Sequence, residues 1–205
     1  MLALFQIIIL IFSVVIHEVS HGFVAEKLGD PTARLAGRLT LNPIKHLDFF
    51  GSFILPISLY LISGGSFIFG WAKPVPYNPL NLKNPLKGGG LIALAGPASN
   101  FLIALFFGLI LRFGNNLINQ NIILLFSLII YINILLGVFN LVPIPPLDGS
   151  KILFGFLPQK NWSYQIIRFL ENYGWFLLLL FLFFGFSIVK IIVLFIFQFI
   201  TRFSI

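Results

Sequence analysis

"VVIHEVSHGF", residues 14–23, closes an apolar run that begins at Leu2 and carries no formal charge before Glu18. A run of that length reads as a membrane-spanning helix. Its end nonetheless holds His17, Glu18 and His21, groups that are expensive at membrane depth and usually functional there. His17 and His21 are four apart, so on a helix they project from one face. That spacing lets two imidazoles hold one zinc ion, with Glu18 alongside to take a proton from an attacking water. The bland reading is a set of interfacial polar residues snorkelling at a helix end. The chain has only three histidines and three glutamates, so chance rarely produces H-E-x-x-H here.

Composition agrees with a bilayer as solvent. Of 205 residues 59% are hydrophobic and only 9% charged, more apolar surface than a soluble domain of this length can hide. The net charge of +7 then reads as cytoplasmic loops facing an anionic leaflet. No basic cluster interleaved with aromatics suggests nucleic acid. Zero cysteines excludes disulfides and thiolate metal sites. The N-terminus lacks a basic n-region and a small-residue cleavage site, so it reads as a retained helix.

Working outward, apolar stretches lie at 2–26, 51–70, 89–112, 122–142 and 173–200, separated by Pro-, Gly- and Asn-rich loops at 29–48, 71–88, 113–121 and 158–172. A sixth piece, 147–157, is too short to cross alone and follows a break at Pro143, Pro145 and Pro146. The expectation is an all-α polytopic membrane protein of five to six transmembrane or membrane-embedded helices, forming one domain over 1–205. If 51–70 enters and returns, one side collects Lys27, Arg34, Arg38, Lys45, Lys73, Lys83, Lys87, Lys151, Lys160 and Arg168, leaving Arg112 and Arg202 opposite. The positive-inside rule favours that arrangement, with the N-terminus outside and the HEVSH end towards the cytoplasm.

Zinc needs a third protein ligand. Glu26 is turned away from the histidine face. His46 and Asp48 sit in a polar loop where such residues need no explanation. That leaves two distant acids, Glu171 in a loop and Asp148 in "FNLVPIPPLDGSKIL" at 139–153. Three prolines force extended backbone, tolerated at membrane depth only when buried in protein or lining a wet cavity. Asp148 then starts a short helix, where an aspartate is equally a ligand or an ordinary cap. Asn140 has the same ambiguity, as a helix-end polar residue or an amide aimed at something reactive.

"HEVSHG" on an apolar helix, "AGPASN" at 95–100 and "NLVPIPPLDG" at 140–149, in that order, resemble the site-2 protease family of intramembrane zinc metalloproteases. The likeness covers residues 10 to 157, and "GWAKPVPYNP" at 70–79 resembles the compact bacterial and archaeal branch without PDZ or CBS domains. The resemblance implies that His17, His21 and Asp148 bind one zinc and that Glu18 is the catalytic acid/base. It further matches Asn140 to an asparagine that positions substrate or stabilises an oxyanion, and Asn100 to that of the G-P-x-x-N element, placed towards substrate. The extra apolar segment 51–70 departs from the family pattern.

The implied reaction is peptide hydrolysis within the membrane of a bacterium or archaeon, on a single-span membrane-protein substrate. An unwound substrate needs new hydrogen-bond partners in lipid. "FIFGWAKPVPYNP" at 67–79, with Trp71 and Val75 facing substrate, is read as an extended or re-entrant hairpin segment offering an edge for strand addition. The alternative there is an ordinary proline-rich interfacial loop. Two other classes compete with the protease: a catalytically inactive metal-binding membrane protein, in which Glu18 would be idle, and a metal or ion transporter. The latter predicts acids or histidines on several helices, and 89–112 and 122–142 carry none.

Overall fold

A computed structural model of the chain describes residues 2–62, 64, 70–114 and 118–202. Helix α1 (Leu2–Lys27) is uncharged and, apart from Gln6 and Ser13, apolar in its first half, and hydrogen bonding within the segment is the way a backbone survives in lipid. It stops at Gly29, whose φ of 104° is open to glycine. There the Gly29 N–H donates to Glu26 O and the Asp30 N–H to Ala25 O, both at 3.0 Å, which satisfies two carbonyls of the last turn. A one-turn helix α2 (Thr32–Leu35), a 3-10 turn (Pro43–His46) and a π-helical turn (Phe50–Ile54) lead into α3 (Leu55–Ile62).

Helix α4 (Pro85–Gly114) opens with proline at its first position, while the Asn84 side chain accepts the Lys87 N–H at 3.0 Å. Helix α5 (Gln120–Asn140) is capped by Asn119, whose side chain accepts from the Asn121 N–H. The proline-rich turn after it separates α5 from α6 (Asp148–Phe156). Gly149 is required at that junction: a Cβ there would lie 2.2 Å from the carbonyl oxygen of Leu141. Helix α7 (Asn161–Leu180) passes through a π-helical turn (Phe181–Gly185) into α8 (Phe186–Thr201) without a break.

Four helical runs, Leu4–Lys27, Pro85–Gly114, Gln120–Asn140 and Asn161–Thr201, are long and apolar enough to cross a membrane. The described residues contain no strand, so the all-α expectation holds and the hairpin does not appear in 70–79; residues 67–69 of that reading lie outside the described ones. Two boundaries differ from the sequence reading. Among the described residues of the 51–70 stretch the helix covers 50–62, about 20 Å at 1.5 Å per residue against a hydrocarbon core of about 30 Å, and residues 63 and 65–69 lie outside the described ones. The loop expected at 158–172 is helical from Asn161, because nothing between there and Leu180 breaks the helix.

The main core lies where α4, α5 and α8 meet, around Ala104, Leu111, Ile130, Ile134, Val193 and Phe197. Glycine permits the close crossings: a Cβ on Gly108 would strike Ile200, and one on Gly137 would press on Phe101. Helix α1 packs on α4 away from α8, and the site forms where α1, α4 and α6 converge.

Candidate active site

The histidine pair of α1 faces α6. Nε2 of His17 lies 3.0 Å and Nε2 of His21 3.2 Å from Oδ2 of Asp148, all three residues being buried. The three ligand atoms lie within 4.8 Å of one another. Neither ring is free to turn. Nδ1 of His21 donates to the carbonyl of Ile92 at 2.7 Å, and Nδ1 of His17 is 2.6 Å from Oδ1 of Asn100. A carbonyl oxygen can only accept, so in the neutral rings the proton sits on Nδ1 and the Nε2 lone pair points at the carboxylate. Lone pairs aimed at one another repel unless a cation lies among them. Two imidazole nitrogens and a carboxylate oxygen are the donors zinc accepts in a three-ligand site with one open position, so the residues fit that metal.

Helix α4 supplies the clearance. A Cβ at Gly96 would stand 2.5 Å from Nε2 of both histidines. Pro97, inside the helix and buried, has no N–H and frees the carbonyl of Ala93 next to the site. The "AGPASN" stretch thus makes room for the histidines with Gly96 and fastens one of them with Asn100.

A cavity of about 910 Å³ opens over the site, lined by His17, Glu18, His21 and Asp148 and bounded by Trp71, Val75, Asn140 and Trp175. Glu18 lies on the cavity side of α1, where its Oε2 accepts the Val75 N–H at 2.9 Å. The segment 70–78 is an extended strap across the cavity. Its Trp71 N–H donates to Gly51 O at 3.1 Å, its Lys73 N–H to His46 O at 2.8 Å, and the Ser52 hydroxyl donates to Trp71 O at 2.9 Å. The Trp71 ring lies on Gly51, where a Cβ would be 2.2 Å from the indole nitrogen.

Asp30 holds the far end of the strap. Its Oδ2 accepts the Asn78 N–H at 2.7 Å, and its Oδ1 accepts from the Asn81 amide at 2.6 Å and from the Thr32 hydroxyl and N–H. Burial alone would raise the pKa of this carboxyl. The hydrogen bonds from Thr32, Asn81 and Asn78 outweigh burial and hold it below the ordinary carboxylate value.

The structure therefore brings His17, Glu18, His21, Asp148, Asn140, Trp71 and Val75 to one cavity. Asn140 is half-buried, with its amide donating to Leu136 O at 3.0 Å. Asn100 is placed differently from the substrate-facing reading. It is fully enclosed beneath His17, and its carboxamide is taken up by His17, Asn133 and Ser13. His46 is buried in its loop with Nε2 2.8 Å from Thr40 O, and Asp48 accepts the Gly51 N–H at 2.6 Å, so both serve local turns. Glu171 lines the cavity from α7 and not from a loop. Sequence reasoning missed Gly96, Asp30 and Asn133. The amide of Asn133, in the middle of an apolar span, was the available signal.

A profile described as Peptidase family M50 matches residues 5–116 and 108–182. The chain belongs to peptidase family M50, the site-2 proteases. It is 42% identical to YwhC of Bacillus subtilis over 161 residues, covering 75% of this chain and 69% of that protein. To Rip2 of Mycolicibacterium smegmatis it is 29% identical, covering 86% and 71%. The names of both make them candidate zinc metalloproteases. MJ0392 of Methanocaldococcus jannaschii, named a zinc metalloprotease, is 29% identical over 91% of this chain and 44% of its own length. No solved structure gives a significant match. This M50 chain is accordingly a metallopeptidase and, with its four long apolar helices, a membrane protein.

Proposed function

We propose that this M50 peptidase hydrolyses a peptide bond in or beside the transmembrane segment of a single-span membrane protein, using one zinc ion per chain. The observation that carries the reading is the convergence of His17 Nε2, His21 Nε2 and Asp148 Oδ2 on one point, with Glu18 on the same cavity. His17, His21 and Asp148 hold the metal, which supplies Lewis acidity towards a peptide carbonyl and an attacking water.

Glu18 accepts the proton of that water as its oxygen bonds to the carbonyl carbon. It returns the proton to the leaving nitrogen as the C–N bond breaks. Asn140 has a second amide N–H beyond the one given to Leu136, and in this reading it donates to the developing oxyanion. The strap receives the unwound substrate. Its N–H groups at 71, 73 and 75 are spent on Gly51, His46 and Glu18, and Pro74 and Pro76 have none. By the alternation of extended backbone its outer edge offers mainly carbonyls, at Ala72, Pro74 and Pro76. A substrate strand laid there donates N–H groups to those carbonyls.

With α3 too short to cross, the four spans put both histidines near the end of α1 that meets the basic loops. The site of this multi-pass protein then opens towards the cytoplasm.

The test is metal analysis of detergent-purified protein together with cleavage of a model single-span substrate. One zinc per chain and activity are expected in the wild type. Glu18→Gln should keep zinc and lose cleavage, and Trp71→Glu or Val75→Glu should keep zinc with reduced cleavage. Zinc without any cleavage would favour an inactive metal-binding protein. Undiminished cleavage by Glu18→Gln would sink the mechanism.

A further inference from the structure

We propose that Asn133 of α5 is a positioning residue for the metal centre, acting through Asn100 to hold the imidazole of His17 with its Nε2 lone pair towards the ligand site. The inference rests on the zinc reading above and adds a residue that touches neither metal nor substrate.

Asn133 and Asn100 are both completely enclosed. The Asn133 amide nitrogen donates to Ile129 O at 2.9 Å and to Ser13 Oγ at 3.0 Å. A backbone carbonyl cannot donate, so the Ile129 contact decides which end of the Asn133 carboxamide is nitrogen. Its oxygen is then the atom that meets the Asn100 amide nitrogen at 2.9 Å. That bond in turn leaves the Asn100 oxygen facing Nδ1 of His17 at 2.6 Å, and Nδ1 must carry the proton.

The sequence of donors and acceptors has a direction, set at a main-chain carbonyl on α5 and delivered to a histidine on α1. Reversing Asn100 would put its N–H against Nδ1 and drive the proton to Nε2, the atom the metal needs. Apart from Asn133, the Asn100 nitrogen has only the carbonyl of Ser13, at 3.4 Å, to resist that reversal. In a pocket closed to water, whichever end is left unpaired is costly. Partners behind a metal ligand that fix its tautomer are worth about 10- to 100-fold in metal affinity.

The experiment measures zinc affinity by chelator competition, the absorption spectrum of the cobalt-loaded protein, and helical content and melting in detergent. Asn133→Leu, close in shape but without polar atoms, should bind zinc about 10- to 100-fold more weakly and alter the cobalt bands while remaining helical. Asn133→Asp, protonated in this surrounding, keeps a donor for Ile129 and an acceptor for Asn100, and should restore near-wild-type affinity and spectrum. A tie that merely holds α1, α4 and α5 together would lower melting without moving the cobalt bands.

Unchanged zinc affinity in Asn133→Leu overturns the proposal, as does equal loss in the Leu and Asp variants. Should Asn133→Leu fail to fold, Asn100→Ala makes the same test one link nearer the ring, with unchanged affinity again the overturning result. A wild type that binds no zinc would overturn both this and the protease reading. Zinc-binding wild type with an indifferent Asn133→Leu overturns this one alone.

Discussion

A methyl group added at Gly96 would lie 2.5 Å from Nε2 of both His17 and His21, in the space where their lone pairs meet. No rotation of either ring relieves the overlap, because Nδ1 of each is held by Asn100 or by Ile92 O. Gly96→Ala should therefore abolish zinc binding while leaving helical content intact, since alanine is the better helix former by about 1 kcal/mol. Metal content per chain, read beside circular dichroism, checks this; a full zinc complement would contradict it. Single residues of this kind were only partly legible in the sequence. The spacing of His17 and His21 is a local, helical fact. Gly96 and Asn133 matter through what lies across from them, and neither glycine in a helix nor asparagine in a span states its partner.

Elements show the same division. Helix α1 was readable from its apolar run and from Gly29 at its end, because both signals are contained in adjacent residues. The 51–70 stretch had span-like composition, yet among its described residues the helix covers 50–62, and composition does not register where a helix stops. The strap is irregular backbone held by outside partners, chiefly Asp30, Glu18, Gly51 and His46. Asp30 gives it a pH dependence. Its folded pKa lies below the unfolded value near 3.9, so its contribution is fully present above that value and is lost as pH falls through the folded one. Asp30→Asn should cost about 1.5–3 kcal/mol at pH 7, the range for hydrogen bonds to a charged group. The gap to wild type should narrow below pH 4. Melting of both proteins at the two pH values decides it, and a gap unchanged by pH would contradict the anchoring role.

Across the whole molecule, on the proposed topology in which each of the four long apolar runs crosses once, Lys45, Lys87 and Lys160 fall on one side and Arg112 on the other. The chain has no cysteine, so single replacements can be read without background. Cysteines at 45, 87 and 160 should react with an impermeant thiol reagent only from the cytoplasmic face of oriented vesicles, and one at 112 only from the other. Labelling of 45 and 87 from opposite faces would mean that the chain crosses between them.

By itself the sequence determined the solvent, the helical class and half of the metal site. Apolar length, proline stops and an i, i+4 histidine pair are properties of neighbouring residues, which act before any packing exists. The tertiary structure decided the remainder. It selected Asp148 over His46, Asp48 and Glu171 as the group facing His17, across a separation of 131 residues. It turned Asn100 from substrate towards His17, and brought Asn133 behind it. Which buried polar groups meet depends on how α1, α4, α5 and α6 cross. Those crossings are set by glycine clearances and side-chain volumes on facing helices, which no single stretch of sequence contains.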